Sequence, residues 1–265
     1  MFRHIGRLLY FKIHNIKNRM KLLLIIGLLL CSHLVAAQQL PIWNPTLGRI
    51  ADLSEKAEID YQRWSELFVK WMDDSISEEE NSEKESLEDD YGFNEAFEGL
   101  EWAVQGGCSW YCAGGPDSVW ASSYLSSQSD NTYLPENAHD LNLKLAWVEG
   151  TSGYGEGEWI TYRFKPNSPR ITEIRIYNGY VKSEKAWNNN SRVKKLKLYM
   201  NNEAIAILYL QDTHREQIFT LPKPWGSYGT EQPAYLTFEI VEVYPGDRYD
   251  DTVITEIYFD GIDDH

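Results

Sequence analysis

The sequence predicts an all-β protein, an antiparallel jelly-roll β-sandwich preceded by an N-terminal helix and an acidic linker. Three observations point there. From Val119 onward apolar residues recur with a period of two, turn residues break the runs at intervals, and no helix-length apolar pattern separates them. Strands without intervening helices must join by hairpins or crossing loops, which is the sandwich or jelly-roll solution.

The order of the elements begins with export chemistry. Arg3, Arg7, Lys12, Lys17, Arg19 and Lys21 precede the apolar run Leu22 to Leu30, which leads to the small residues Ala36 and Ala37. That is the pattern of a signal peptide over residues 1–37, with Met20 as a second candidate start. The run is short for a bilayer span and no second one follows, so no transmembrane segment is expected after cleavage. Cys31 offers a lipoprotein alternative, although Leu30 stands before it where a small residue is usual. The expected location is secreted, periplasmic or on the cell envelope. Losing residues 1–37 removes six basic and no acidic groups, which takes the formal charge from −15 to −21. Nucleic acid is excluded as a partner, because phosphate recognition needs a clustered positive field.

Residues 38–107 read as a helical and acidic region. Ile50, Leu53, Ala57, Tyr61, Trp64, Leu67, Phe68 and Trp71 recur at three- to four-residue spacing and predict an amphipathic helix through Met72. Such a helix docks on its own chain or binds a protein partner. Asp73 to Asp90 holds ten acids and only Lys84, with no periodic apolar positions, and is expected to stay a solvated linker. Residues 108–265 are expected to form the sandwich. Cys108 and Cys112, the cysteines left in an oxidising compartment, read as a disulfide. Zinc is the competing reading, but only His139, His214 and His265 remain and no second ligand pair is present.

The clearest predicted strands are Thr172 to Tyr177, Val193 to Met200, Ala204 to Leu210, Tyr235 to Val243 and Val253 to Phe259. In the second, Leu196, Leu198 and Met200 alternate with Lys195, Lys197 and Tyr199, as a sheet with one buried face requires. In the last, the alternation sends Ile257 and Phe259 inward and Glu256 and Tyr258 outward.

Catalytic arrangements are scarce. Gly153-Tyr154-Gly155-Glu156-Gly157 lacks the G-x-G-x-x-G spacing and leads into a strand, so it is a turn rather than a phosphate cradle. Gly150-Thr151-Ser152-Gly153 lacks the spacing of a nucleophile elbow. Forty acids supply carboxylate pairs without showing which two face each other, which leaves a glycan-active hydrolase as the least favoured reading. The informative segment is Asn178 to Arg192, an amide-rich connection with a Trp, longer than a hairpin needs. Tyr180 and Trp187 offer aromatic faces for sugar C–H groups, and Lys182, Asn190 and Arg192 offer hydrogen bonds for hydroxyls. The alternative is that Trp187 plugs the end of the sandwich and Arg192 pairs with an acid.

Asn178-Gly179-Tyr180 with Lys182, Trp187, Asn190 and Arg192 to Tyr199 resembles the signature of the NADase-type glycan-binding domain, a branch of the discoidin-like, galactose-binding sandwiches of secreted bacterial proteins. Tyr133 to Asp140, Ala146 to Trp159, Leu208 to Phe219 and Phe238 to Ile257 follow in the family's order, so the likeness runs from about Val119 to Phe259. It implies a jelly roll of about eight strands and a non-catalytic, carbohydrate-binding role. The alternative is a structural or protein-interaction module of the cell envelope. The family's name refers to a toxin relative with an NAD-cleaving domain, for which residues 38–107 have no room. Related sandwiches hold a structural calcium, which the resemblance carries onto Asp140 and Asn142 of a loop and Glu256 of the last strand, all hard oxygen donors. Leu141 and Leu145 depart from the family's usual Gly and Thr. Without calcium, Asp140 would hydrogen-bond its own turn and Glu256 would face solvent.

Overall fold

The computed structural model describes residues 39–51, 54–91, 110–128 and 131–262. The expected signal peptide, Cys31 and Cys108 lie outside them, as does the side chain of Cys112, so the expected disulfide lies outside the described residues.

Two short strands come first, β1 (Ile42–Trp43) and β2 (Thr46–Ile50), and both join the sandwich. This differs from the expectation of a helix beginning at Ile50. Helix α1 spans Glu55–Met72, capped by Ser54, whose Oγ accepts the Ala57 N–H at 3.1 Å. The acidic run, expected to be a linker or a solvated edge without order, is ordered in part: Glu78–Tyr91 forms a second helix, α2. Ser77 and Glu80 make a reciprocal capping box, Glu80 N to Ser77 Oγ at 3.2 Å and Ser77 N to Glu80 Oε2 at 3.1 Å. The acids then find cations on α1. Glu83 takes both Nε and Nη2 of Arg63, Glu80 pairs with Lys70, and Glu88 accepts from Trp64 Nε1 at 3.1 Å. Trp64 and Leu67 are thereby buried. Composition hides this order because the partners lie on the neighbouring helix.

The sandwich follows as β3 (Ser118–Ala121), β4 (Trp147–Val148), β5 (Trp159–Phe164), β6 (Ile171–Asn178), β7 (Ser191–Met200), β8 (Glu203–Tyr209), β9 (Arg215–Trp225), β10 (Ala234–Tyr244) and β11 (Thr252–Gly261), with a short helix α3 (Glu184–Asn189) before β7. Hydrogen bonding runs in the order β2-β9-β6-β11-β7-β10-β5-β3, with β8 and β1 beside β7 and β4 beside β11. Strand β11 makes the jelly roll. Its first residues pair in parallel with Ser191 and Arg192 of β7, and from Glu256 on it pairs antiparallel with β6, so it passes from one sheet to the other. One core lies between the sheets, built from Ile160, Tyr162, Phe164, Ile174, Ile176, Leu196, Leu198, Phe219, Leu236, Phe238, Ile257 and Phe259. The β7 alternation holds, with Leu196 and Leu198 fully buried and Lys195, Lys197 and Tyr199 partly exposed. The β11 alternation does not. Val253 to Phe259 is buried throughout, Glu256 and Tyr258 included, because a strand between both sheets has no solvated face. Strand β9 is not one of the strands the periodicity predicts; only its first half pairs with β2, which leaves its far end, with Pro222 and Pro224, tolerant of proline.

Candidate functional site

Four connections meet at one end of the sandwich: 122–146, 149–158, 179–190 and 245–251. Backbone bonds lace them together. Leu125 N reaches Val148 O at 2.9 Å, Glu149 N reaches Thr252 O at 3.2 Å, Asp247 N reaches Asn188 O at 2.9 Å, and Tyr249 N reaches Asn189 O at 2.8 Å. Thr252 Oγ1 donates to Tyr154 O at 2.8 Å. Under the second loop lies Glu149, fully buried, accepting from Thr151 N and Oγ1 at 2.8 Å each and from Thr252 N at 3.3 Å. Burial raises its pKa and those bonds oppose the rise. Gly155, at φ +66°, passes directly over this carboxylate; a Cβ there would come within 2.4 Å of Glu149 Cγ.

The segment that carries the family likeness builds the floor of this end. Asn178 clips two strands, its amide donating to Val193 O at 2.7 Å while its Oδ1 accepts Val193 N at 3.0 Å. Gly179 takes φ +75°, and a Cβ would meet the Trp187 ring at 2.9 Å and Arg192 Cγ at 2.6 Å. Ser183 caps α3 by accepting Ala186 N at 3.2 Å, and that helical turn carries Trp187 inward to 9% exposure. Its Nε1–H donates to Asn178 O at 3.2 Å, and His214 meets the ring edge-on at 4.1 Å between centroids. The Arg192 guanidinium covers the indole at 4.1 Å. That cation is spent on its surroundings: Nε and Nη2 grip Asp212 at 2.7 and 3.1 Å, and Nη1 donates to the Trp187 and Asn190 carbonyls. Tyr180 is 5% exposed with its OH on Lys144 O at 3.4 Å, and the Asn190 amide holds Ala186 O at 2.8 Å.

The sequence expectation of an outward-facing set is corrected accordingly. Tyr180, Trp187 and Arg192 are buried and Asn190 is bound to its own helix. The cause is α3, a six-residue helix inside a segment that reads as irregular. Lys182 alone of the five projects, with Nζ 4.5 Å from the Tyr180 ring centroid and 3.4 Å from Asn131 Oδ1. The exposed side chains of these loops are ones the sequence did not single out for binding: Tyr124, Tyr154 and Tyr249, with Arg248 5.0 Å from the Tyr249 ring. Tyr133 packs against the buried cluster that holds Tyr180. Tyr154 between Gly153 and Gly155 was the available sequence signal; Tyr124 meets Gly150 only in space.

Of the residues expected to hold calcium, Asp140 lies beside Glu256, whereas the Asn142 side chain turns to Lys144 N and only its backbone amide faces Glu256. Glu256 is fully buried, and neither carboxylate oxygen receives a full hydrogen bond. Burial, reinforced by the Asp140 carboxylate beside it, drives its pKa well up, while the Leu141 and Asn142 amides favour the charged form. Asp140 Oδ1 accepts Asn142 N at 2.9 Å and Asn142 Oδ1 accepts Lys144 N at 3.0 Å, which bends the loop around the pair. Leu141 adopts φ +62°, the left-handed conformation that suits the family's usual Gly. Two adjacent carboxylates, one of them fully buried, supply the hard oxygen donors that such a cation takes. Among the described residues no group of three or more His, Cys, Asp or Glu side chains is arranged for a metal, so any remaining ligands would be carbonyls or water. His139 next to this loop is a core residue, its Nδ1 2.9 Å from Ile257 O among Tyr111, Tyr162 and Phe259, and burial pushes its imidazole down to about 4.

Residues 110–260, more than half of the chain, match the family described as NAD glycohydrolase translocation F5/8 type C domain. The chain belongs to this family. Its F5/8 type C domain thus begins just before β3, and β1 and β2 are strands added from outside the matched region. Among solved structures, the CBM32-1 and CBM32-2 domains of Clostridium perfringens ZmpB are similar at 10% identity and TM-score 0.43, covering 86% of this chain and 43% of that one. A longer ZmpB structure with the M60 catalytic domain aligns at 11% identity and TM-score 0.40, covering 57% and 14%. A fucolectin from striped bass (Morone saxatilis) serum aligns at 13% identity and TM-score 0.33, covering 60% and 49%. The chain therefore spans less than half the length of each. No curated protein matches it in sequence. Among the described residues no helix is long and apolar enough to cross a membrane.

Proposed function

We propose that this protein is an exported, non-catalytic module that recognises a glycan through the loop end of its sandwich. One observation carries the reading: the loop end joins a hydrogen-bonded floor to an exposed rim of Tyr124, Tyr154, Tyr249, Lys182 and Arg248. Tyrosine faces suit the apolar side of a sugar ring, and a preorganised floor keeps the ordering entropy of binding low. Membership of an F5/8 type C family supports the same assignment, and no step of NAD chemistry is carried over. A calcium held by Asp140 and Glu256, with oxygen atoms of the 140–142 loop, would neutralise the buried Glu256 carboxylate and stiffen the floor beneath the rim.

The test is a glycan array probed with the full chain, with and without calcium. Retention of a defined glycan class that falls at least about tenfold in Tyr249→Ala and Lys182→Ala, at unchanged melting temperature, supports the reading. No retention by the parent protein, or turnover of a bound glycan, overturns it. A protein-interaction role is the second reading, favoured by the exposed Ile59, Val69, Trp71 and Met72 on α1; it predicts that deleting 54–91 abolishes partner capture and leaves glycan retention intact.

A further inference from the structure

A separate feature lies on the outer face of the sheet formed by β3, β5, β10 and β7, away from the loops. Register places its side chains in rows. Trp120, Thr161, Thr237 and Tyr199 stand abreast on four neighbouring strands. In the next row Trp159 pairs with Glu239, and on the other side Tyr235 stands beside Arg163. Two small residues flanked by two large ones make a trough: its volume is about 460 Å³, and Trp120, Trp159, Thr161, Tyr199, Asn202, Tyr235, Thr237 and Glu239 line it. Trp120 and Tyr199 sit three strand spacings apart, roughly 14 Å between backbones.

Outward positions of a half-solvated antiparallel sheet are normally polar. Here four of them are aromatic, and nothing in the chain's described residues covers them: Trp120 is 38% exposed. The rings are held in place, Trp120 edge-on to Tyr235 at 6.3 Å and Tyr199 with its OH on Glu239 and Lys197 Nζ 4.8 Å from its ring centroid. The floor is polar. Thr161 and Thr237 Oγ1 atoms lie 2.7 Å apart, so only one donates to the other and the second hydroxyl hydrogen is free for a ligand. Glu239 and the Asn202 amide add an acceptor and a donor–acceptor pair.

We propose that this trough is a second binding site, taking a short stretch of a neutral glycan chain that lies across the strands. Aromatic walls match the C–H faces of sugar rings, and the hydroxyl pair, carboxylate and amide match hydroxyl groups. The charge selects among glycans. None of the lining side chains is basic and one is a carboxylate, and the Lys197 and Arg163 cations beside Tyr199 and Tyr235 are balanced by Glu239 and Asp117, so the trough offers a uronic-acid or sulfated chain no net positive field. The volume falls within the roughly 300–1,000 Å³ of small-molecule sites. The inference shares the glycan reading made above and differs from it in place: strands carry this site, and loops carry the other.

Native affinity gels containing galactomannan, xyloglucan or hydroxyethylcellulose, with dextran sulfate as the anionic control, test it on the full chain. The expectation is retardation by at least one neutral polymer and none by dextran sulfate. Trp120→Ala and Tyr199→Ala each weaken retardation roughly tenfold or more. Thr237→Tyr, which fills the floor and removes no ring, does the same, and intrinsic fluorescence and melting temperature verify each variant's fold. Tyr228→Ala, at an exposed position outside both the rim and the trough, leaves this retardation unchanged. Loss in the loop variants with full retention in the trough variants overturns the second site and upholds the loop site. Retardation by dextran sulfate alone, or retardation by a neutral polymer that survives Thr237→Tyr, overturns the trough assignment, as does the absence of retardation by all the polymers.

Discussion

Replacing Trp187 by alanine separates a structural from a ligand-facing role. The side chain is 9% exposed, so of the roughly 200 Å² a Trp presents, about 180 Å² is removed from water. At about 25 cal/mol per Å² that burial is worth about 4.5 kcal/mol, an upper figure because the unfolded chain is itself partly collapsed. The substitution also deletes the Nε1–H bond to Asn178 O and the surface on which Arg192 lies. A loss of about 3–5 kcal/mol follows, in line with Trp-to-Ala changes in other cores. For a domain of this size that is a fall of roughly 10 °C in melting temperature. Arg192 keeps Asp212, so the damage should centre on α3 and Gly179 rather than on β7. Near-ultraviolet circular dichroism of the sandwich transition, in heat and in urea, measures it, with Trp187→Phe as the milder control. A loss under about 1 kcal/mol together with abolished glycan retention would refute the packing argument and return Trp187 to the ligand.

Gly179→Ala, forced to hold φ +75° with a Cβ driven into Trp187 and Arg192, should destabilise by more than the roughly 1 kcal/mol of a left-handed alanine, and urea midpoints of the two proteins will show it. Calcium at a hundred times its dissociation constant should stabilise the parent by about 2.7 kcal/mol in a chelator-reversible way; Glu256→Gln should lose that response, and a parent indifferent to chelator would dismiss the cation. Glu149 has its carboxyl pKa raised by burial, so the folded state binds a proton more tightly than the unfolded one. Its contribution is then fully present below the unfolded value of about 4.3 and declines as pH rises through the raised folded value. Between those values Glu149→Gln should show a flatter stability profile than the parent, and parallel profiles would assign the pH dependence elsewhere.

Strand periodicity made the sandwich legible because β7 and β10 bury one face and expose the other. It failed at β11, whose two faces are both covered, and Glu256 consequently read as a surface residue although it is fully buried. It also missed α2, where ten acids from Asp73 to Asp90 look incapable of order in isolation, because the Arg63 and Lys70 partners of its acids lie on α1. At the candidate site the Asp140–Glu256 pair came through the family likeness. The rim tyrosines and the trough did not, because their meaning depends on which loops and rows meet in space. Thr161, Thr237 and Tyr199 are separated by dozens of residues and become one surface only through the β5-β10-β7 register.

The placement of Trp187 bears on what a family likeness in this segment can mean. Asn178, Gly179, Trp187 and Arg192 contact one another: the amide clips β7, the glycine makes room for the indole, the indole supports the guanidinium, and the guanidinium bridges to Asp212. Altering any one leaves a buried polar group or a void for the others, so the set is constrained by packing whether or not a ligand is bound. A sequence carrying these four residues is thereby committed to this loop end, with its floor and the direction of its rim. It is not committed to a sugar, since the rim tyrosines and the trough residues Trp120 and Tyr199 stand outside that interlocked group. Substitutions there can change ligand while the fold stays put, which is why the rim and trough variants, rather than variants of the motif, are the ones able to decide function.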